Sequence, residues 1–163
     1  MYADYYKGSD KEQFLAKVAQ IASMLGVTAD ELMSVFYLES SVNPHAVNKY
    51  TGATGLIQFM PATAKALGTT TADLKAMTGT EQLDYVYAYL KPYIGKMNSL
   101  YDVYFAIFFP IAIGKPDNWV LQTNKLSAAL IAKQNQGYDL DRSGDITVAE
   151  VKKAINNRLL KKK

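Results

Sequence analysis

Cysteine is absent from all 163 residues, which excludes a disulfide framework, a thiol nucleophile and a thiolate metal site, and leaves the redox compartment open. Long apolar runs are missing too. None approaches the roughly 20 residues needed to span a bilayer, and the N-terminal MYADYYKGSDKEQ has no apolar core of the kind a signal peptide carries. No membrane span is expected, and the chain reads as soluble as it stands, with a trimmed leader or a larger parent protein left open. Charge of one sign is also scarce. The net charge is +3, and the tail Lys161, Lys162, Lys163 alone contributes that much. This predicts a weak pull toward anionic surfaces and no nucleic-acid partner. Neither an internal repeat nor a low-complexity linker is visible.

What is present suffices for a packed core. With 49% hydrophobic residues, a chain of this length buries about two-thirds of its unfolded surface, so one compact monomeric domain with a cleft is the default. Twelve tyrosines supply amphipathic residues for core edges and cleft walls. Apolar residues at helical spacing (Phe14, Val18, Ile21, Ala22, Leu25) predict a helix from about Asp10 to Leu25, capped by Ser9 and Glu12 and ended by Gly26. An antiparallel partner starts at Thr28, with Glu31 as its reciprocal cap and Leu32, Val35 and Phe36 on its apolar face. Further helices are expected over 61–67 (opened by Pro61), from a cap at Thr71 to about Gly79, over 81–94, over 100–109 and over 126–134.

Residues 35 to 63, VFYLESSVNPHAVNKYTGATGLIQFMPAT, are the stretch around which the rest is arranged. Glu39 lies four residues after Val35 and so shares the apolar face of its helix. A carboxylate that loses water there is disfavoured in its charged form, which is what a proton donor working near neutrality requires. Asn43-Pro44 then turns the backbone out of the helix, placing Glu39 at an element's end, where clefts are built. From His45 to Phe59 the pattern is irregular, with room for a short hairpin. Gly52 and Gly55 mark unusual backbone angles or close approach by a ligand.

The second informative stretch, DLDRSGDITVAE, spans residues 139 to 150. It matches the twelve-residue calcium loop. Asp139, Asp141 and Ser143 stand at the first, third and fifth places, Gly144 at the sixth and Glu150 at the twelfth. Asp145 offers its carbonyl, and Thr147 acts directly or through water. Alternate residues of a tightly turning loop aim oxygens at one centre, which suits a hard dication. Thr147 and Glu150 also cap the helix that follows, through Val151, Ile155 and Leu159. No second loop is present to pair with this one, so a structural calcium clip is expected rather than a sensor, with no role for the ion in the chemistry.

Glu39, Ser40, Asn43, Pro44, Ala46 and Val47, followed by Gly52, Ala53, Gly55, Leu56, Gln58, Met60, Pro61 and Thr63, resemble the soluble lytic transglycosylase family of lysozyme-like enzymes. The resemblance covers about residues 12 to 110 and extends to versions carried by phages and prophages, which often end in a calcium loop like this one. It implies cleavage of the MurNAc–GlcNAc β-1,4 bond of peptidoglycan with Glu39 as the catalytic acid and base. Ser40 would sit beside that acid, and Gly52, Gly55 and Gln58 would hold the sugar. Tyr101 and Tyr104 are candidates for the cleft wall, with core packing the alternative for at least one of them, and His45 reads as incidental. Conventional glycosidases use two carboxylates. The family needs one, because the sugar's own C6 hydroxyl closes a 1,6-anhydro ring and no water is consumed. Asp73, Glu81, Asp84 and Asp102 sit in segments that read as helix caps or surfaces. The chain departs from the family at Ala106-Ile107-Phe108-Phe109-Pro110, where a tyrosine-asparagine pair is common.

The expected fold is mainly α, a lysozyme-like helical bundle with a small irregular or β-hairpin region. Residues 1–136 form the transglycosylase domain, and the calcium-binding segment 137–163 packs on it. The expected site of action is the bacterial cell wall, periplasmic or extracellular, with a place in a phage tail or other assembly as one setting. Two alternatives are a hydrolytic muramidase on the same fold and a wall-binding structural component without catalysis.

Overall fold

A computed structural model describes residues 2–161, and Lys162 and Lys163 of the basic tail lie outside them. Among the described residues there are eight α-helices and no extended strand, the mainly helical architecture expected of a lysozyme-like chain. The β contribution is limited to isolated antiparallel bridges. The chain forms two compact units, the first ending at Val103 and the second starting at Tyr104.

The first unit is built on α1 (Lys11–Leu25), α2 (Ala29–Ser40) and α5 (Gly79–Leu90), with α1 packed against both others. The predicted stripe of α1 is its buried face: Phe14, Val18, Ile21, Ala22 and Leu25 are all inside, and Gly26 ends the helix at φ 75°. Helix α2 opens with the predicted capping box. Thr28 Oγ1 accepts from the Glu31 amide at 3.1 Å, and the Glu31 carboxylate accepts from the Thr28 amide at 2.9 Å.

Several local expectations are corrected. The chain turns through 111° between α1 and α2, so the pair is not antiparallel and resembles a helix-turn-helix crossing. The N-cap of α1 is Asp10, not Ser9, and its side chain makes no capping bond. The carboxylate is drawn instead to Tyr6 and Thr80. Helix α2 ends at Ser40, before Asn43-Pro44. Ser41 (φ 55°) and Val42 (φ 60°) are both left-handed, and the Val42 amide closes back on the Phe36 carbonyl at 3.1 Å, a Schellman-type stop without glycine.

Helix α3 (Pro61–Ala66) starts on its proline as expected. The cap of α4 (Thr71–Ala76) is Thr70, whose side chain accepts from the Asp73 amide. Helix α5 begins at Gly79 under a Thr78 cap and stops at Leu90. Residues Lys91–Tyr93 tighten into a 3-10 turn, because Pro92 has no amide hydrogen to continue the α-helix.

Helix α6 (Leu100–Phe108) spans the change of unit. The second unit continues through α7 (Ala128–Gln134), capped by Ser127 rather than starting at Leu126, to α8 (Val148–Lys161). Ile131, Ile146, Val148, Val151 and Ile155 are buried here.

Candidate functional site

Glu39 occupies the last turn of α2 and is half-buried, between the fully buried Val35 one turn earlier and the α2 stop. Its charge bears on Tyr89 of α5. Burial, and after it the charges of Tyr93 and Glu39, push the Tyr89 phenol up to about 12 from an ordinary 10.0. The Tyr89 ring meets Phe59 edge to face, with centroids 6.4 Å apart. Tyr89 thus joins α5 to the end of the glycine loop and carries the influence of Glu39. Sequence reasoning missed Tyr89. Its only signal is position, three residues after the buried Val86 and so near the buried face of α5.

Ser40 fastens the end of α2 to the loop. Its Oγ lies 3.0 Å from the Phe36 carbonyl and 2.9 Å from the Leu56 carbonyl, and it accepts from the Asn43 amide at 3.3 Å. The loop itself is held by its own backbone. Val47 bridges to Thr54 and Thr54 to Phe59, and the Gly55 amide donates to Ala46 at 2.8 Å. This tight double bridge takes the place of the expected hairpin. Gly52 (φ 77°) and Gly55 (φ 90°) both need the left-handed region, where glycine costs least.

Gln58 is also left-handed, at φ 56°. Its Nε2 donates to the carbonyls of Ala46 (3.3 Å) and Gly55 (3.1 Å). Because both partners are pure acceptors, the amide orientation is fixed and Oε1 faces away from them. His45 is exposed, and its Nδ1 donates to the Lys75 carbonyl at 2.7 Å.

Asp10 is held by Tyr6 and Thr80, and the remaining acids of the first unit have surface or capping places. Glu12, Asp30 and Asp73 are exposed, and Glu31 closes the α2 box. Glu81 accepts from Thr78 Oγ1 at 3.2 Å, Asp84 pairs with Lys17 at 3.0 Å, and Asp102 accepts from the Asn98 amide at 2.8 Å. The expectation that Asp73, Glu81, Asp84 and Asp102 serve as caps or surface groups agrees with these positions.

Tyr104 belongs to the second unit, where it is 2% exposed and its hydroxyl meets that of Tyr138. Phe108, one turn on, packs against Tyr138 at 4.9 Å and Tyr104 at 5.8 Å. The departure at Phe108-Phe109 is therefore an aromatic cluster, extended by Phe109 against Trp119 at 6.4 Å.

In the 139–150 loop, one carboxylate oxygen from each of Asp139, Asp141 and Glu150 lies within 4.8 Å of the other two. Two oxygens bonded to one calcium ion at 2.3–2.6 Å can be at most about 5 Å apart, so the three fit a single coordination shell. Ser143 Oγ donates to Asp145 Oδ1 at 3.0 Å, and Gly144 supplies the sharp turn at φ 89°. Hydrogen bonds from Ser143 hold the Asp141 carboxyl below its ordinary value. Thr147 and Glu150 form the predicted cap, with the Glu150 amide 3.2 Å from Thr147 Oγ1. The missing second loop has a substitute within the unit. Residues 117–121 run beside the exit of the 139–150 loop, with the Leu121 amide on the Ile146 carbonyl at 2.8 Å and the Val148 amide on the Trp119 carbonyl at 3.0 Å.

Comparison with known proteins adds one match. The family model described as the transglycosylase SLT domain matches residues 17–108, over half of the chain. No curated protein and no solved structure matches. The matched span contains α1 from Lys17 onward, the Glu39 turn, the glycine loop and α5. The chain belongs to the transglycosylase SLT domain family, whose function is of the lytic transglycosylase type, directed at peptidoglycan in the bacterial cell wall.

Proposed function

We propose that this chain cleaves the MurNAc–GlcNAc β-1,4 bond of peptidoglycan and leaves a 1,6-anhydro-MurNAc end, with Glu39 as the only acid and base. The observation that carries this reading is the setting of Glu39. It is half-buried at the end of α2, its charge is felt by the Tyr89 phenol, and the first unit's other acids sit at caps, in ion pairs or on the surface, except Asp10, which is held by Tyr6 and Thr80.

One acid is enough when the substrate supplies the nucleophile. Glu39, protonated, gives its proton to the glycosidic oxygen. The C1–O bond of MurNAc breaks and the GlcNAc 4-hydroxyl departs. As a carboxylate, Glu39 then takes the proton of the C6 hydroxyl while O6 bonds to C1. The ring closes, Glu39 is protonated again, and no water enters. Making the attack intramolecular can supply roughly 7–11 kcal/mol when the geometry is right. Gly52, Gly55 and Gln58 are proposed to hold the sugar, with Ser40 fixing the loop beside the acid. Glu39→Gln keeps the shape and removes the proton. It is expected to lower peptidoglycan cleavage by at least about 100-fold with unchanged circular dichroism, and full activity in that variant would remove Glu39 from the role.

We also propose that the 139–150 loop holds calcium as a structural ion through Asp139, Asp141, Ser143, Asp145, Thr147 and Glu150. The chemistry above does not need it.

A further inference from the structure

We infer that Gln82 is a positioning residue for this reaction: its buried amide clamps the glycine loop to the exit of α2 and so sets the geometry around Glu39. The inference rests on the transglycosylase reading for its catalytic half, and on geometry alone for the clamp.

Gln82 is in the first turns of α5 and is fully buried, at 0% exposure. A primary amide so placed is unfavourable unless its polar groups are paired. Its Oε1 accepts from the Leu56 amide at 2.7 Å, and its Nε2 donates to the carbonyls of Pro44 (2.9 Å) and Leu74 (3.0 Å). Three segments distant in sequence therefore meet on one side chain: the α2 exit, the glycine loop and α4. Because both Nε2 partners are carbonyls, the amide has one orientation. Pro44, Leu56 and Leu74 are themselves buried, so water cannot replace the amide.

Two observations connect this clamp to the site. A Cβ at Gly55 would lie 2.5 Å from Gln82 Oε1 and 2.8 Å from its Cδ and Nε2. Gly55 is thus required by the amide as well as by its own φ of 90°. Leu56 donates its amide to Gln82 and accepts at its carbonyl from Ser40 Oγ at 2.9 Å, and Ser40 is the residue after Glu39. The Gly55 carbonyl in turn receives Gln58 Nε2 at 3.1 Å. Loss of the amide would let Gly55 and Leu56 move, and with them Gln58 and the link to the end of α2. A displacement of about 1 Å in such a setting can cost on the order of 100-fold in rate.

The test compares wild type with Gln82→Met, which keeps side-chain length and removes the polar atoms. Two quantities are read below the variant's own melting midpoint: kcat and KM on soluble, uncross-linked glycan strands, and amide hydrogen exchange. The expected result is a kcat at least about tenfold lower with KM nearly unchanged. Exchange should quicken at residues 54–58, while Val18 and Ile21 of α1 keep wild-type protection. A folded fraction with wild-type kcat, or exchange that quickens equally in α1 and the loop, would overturn the inference. If Gln82→Met does not fold, Gly55→Ala displaces the loop with Gln82 in place and is read in the same way. A wild-type chain that cleaves no glycan would remove the transglycosylase reading and the catalytic half with it, whereas the exchange comparison decides the clamp independently.

Discussion

Ser41 and Val42 hold the backbone in the left-handed region at φ 55° and 60° directly after the turn that carries Glu39. For residues other than glycine this costs roughly 1–2 kcal/mol each. Val42 has a compensation, since its side chain is fully buried, but Ser41 is exposed. Ser41→Gly is therefore expected to raise stability by up to about 1 kcal/mol, read as a higher thermal midpoint, whereas Val42→Gly gives back its gain by losing buried apolar surface. A lower midpoint in Ser41→Gly would contradict this account of the α2 stop. At this scale the legible residues were those whose role is local. Gly52 and Gly55 stand in a contiguous motif, and their type announces the unusual φ that both adopt. Tyr89 and Gln82 were not legible, because what they do depends on distant residues, for Gln82 on Leu56 and Pro44 at 26 and 38 positions away. The one clue for Gln82 was a polar residue one helical turn before Val86 on an otherwise apolar face. Nothing in the sequence signalled left-handed φ at Val42, since a β-branched residue is among the least expected there.

The helices were legible from their stripes, and the errors fell at their ends. A capping preference is shared by neighbouring hydroxyl and carboxylate residues, so Thr70 and Thr71, or Ser9 and Asp10, cannot be separated without the tertiary contacts that recruit one of them. Asp10 shows this well. Tyr6 Oη donates to Asp10 at 2.7 Å and accepts from the Gly79 amide at 2.9 Å, and Thr80 bonds the other Asp10 oxygen. Tyr6 also stacks on Phe14 at 3.9 Å. A Cβ at Gly79 would lie 2.5 Å from Tyr6, which accounts for glycine at the start of α5.

This staple has a definite pH window. Burial works to raise Asp10, but hydrogen bonds from Thr80 and Tyr6 outweigh it and leave the carboxyl below its ordinary 3.8. Burial, then the bond to Asp10, puts the Tyr6 phenol well above its ordinary 10.0. A lowered carboxyl contributes stability that is present above its unfolded value and lost as pH falls through the folded one. A raised phenol contributes stability that is present below its unfolded value and lost as pH rises through the folded one. The staple should therefore be at full strength between about pH 4 and pH 10. Tyr6→Phe leaves the Gly79 amide without its partner and is expected to cost about 1–3 kcal/mol at pH 7, with a smaller cost at pH 3. Equal thermal midpoints for wild type and variant at pH 7 would contradict the staple.

At the scale of the whole molecule, two chemistries lie in different compact units. The acid and glycine loop belong to the first, and the 139–150 loop belongs to the second. The clustering of Asp139, Asp141 and Glu150 was legible because all three lie within one twelve-residue stretch. Its partner strap at residues 117–121 was not, since that stretch carries no motif and is recognised only by its backbone bonds to Ile146 and Val148. An ion bound only by the folded state stabilises it by RT ln(1 + [L]/Kd), about 2.7 kcal/mol at 100 times Kd. Thermal unfolding in millimolar calcium is thus expected to show a midpoint several degrees above that in chelator, and Glu150→Gln should abolish the difference. Identical midpoints with and without chelator would argue against a structural ion. The central claim, a glycosidic bond cut by one acid without water, is tested most directly by digesting purified peptidoglycan with the chain and weighing the released muropeptides. The account predicts MurNAc ends lighter by one water, in the 1,6-anhydro form, and products that carry reducing MurNAc ends alone would contradict it.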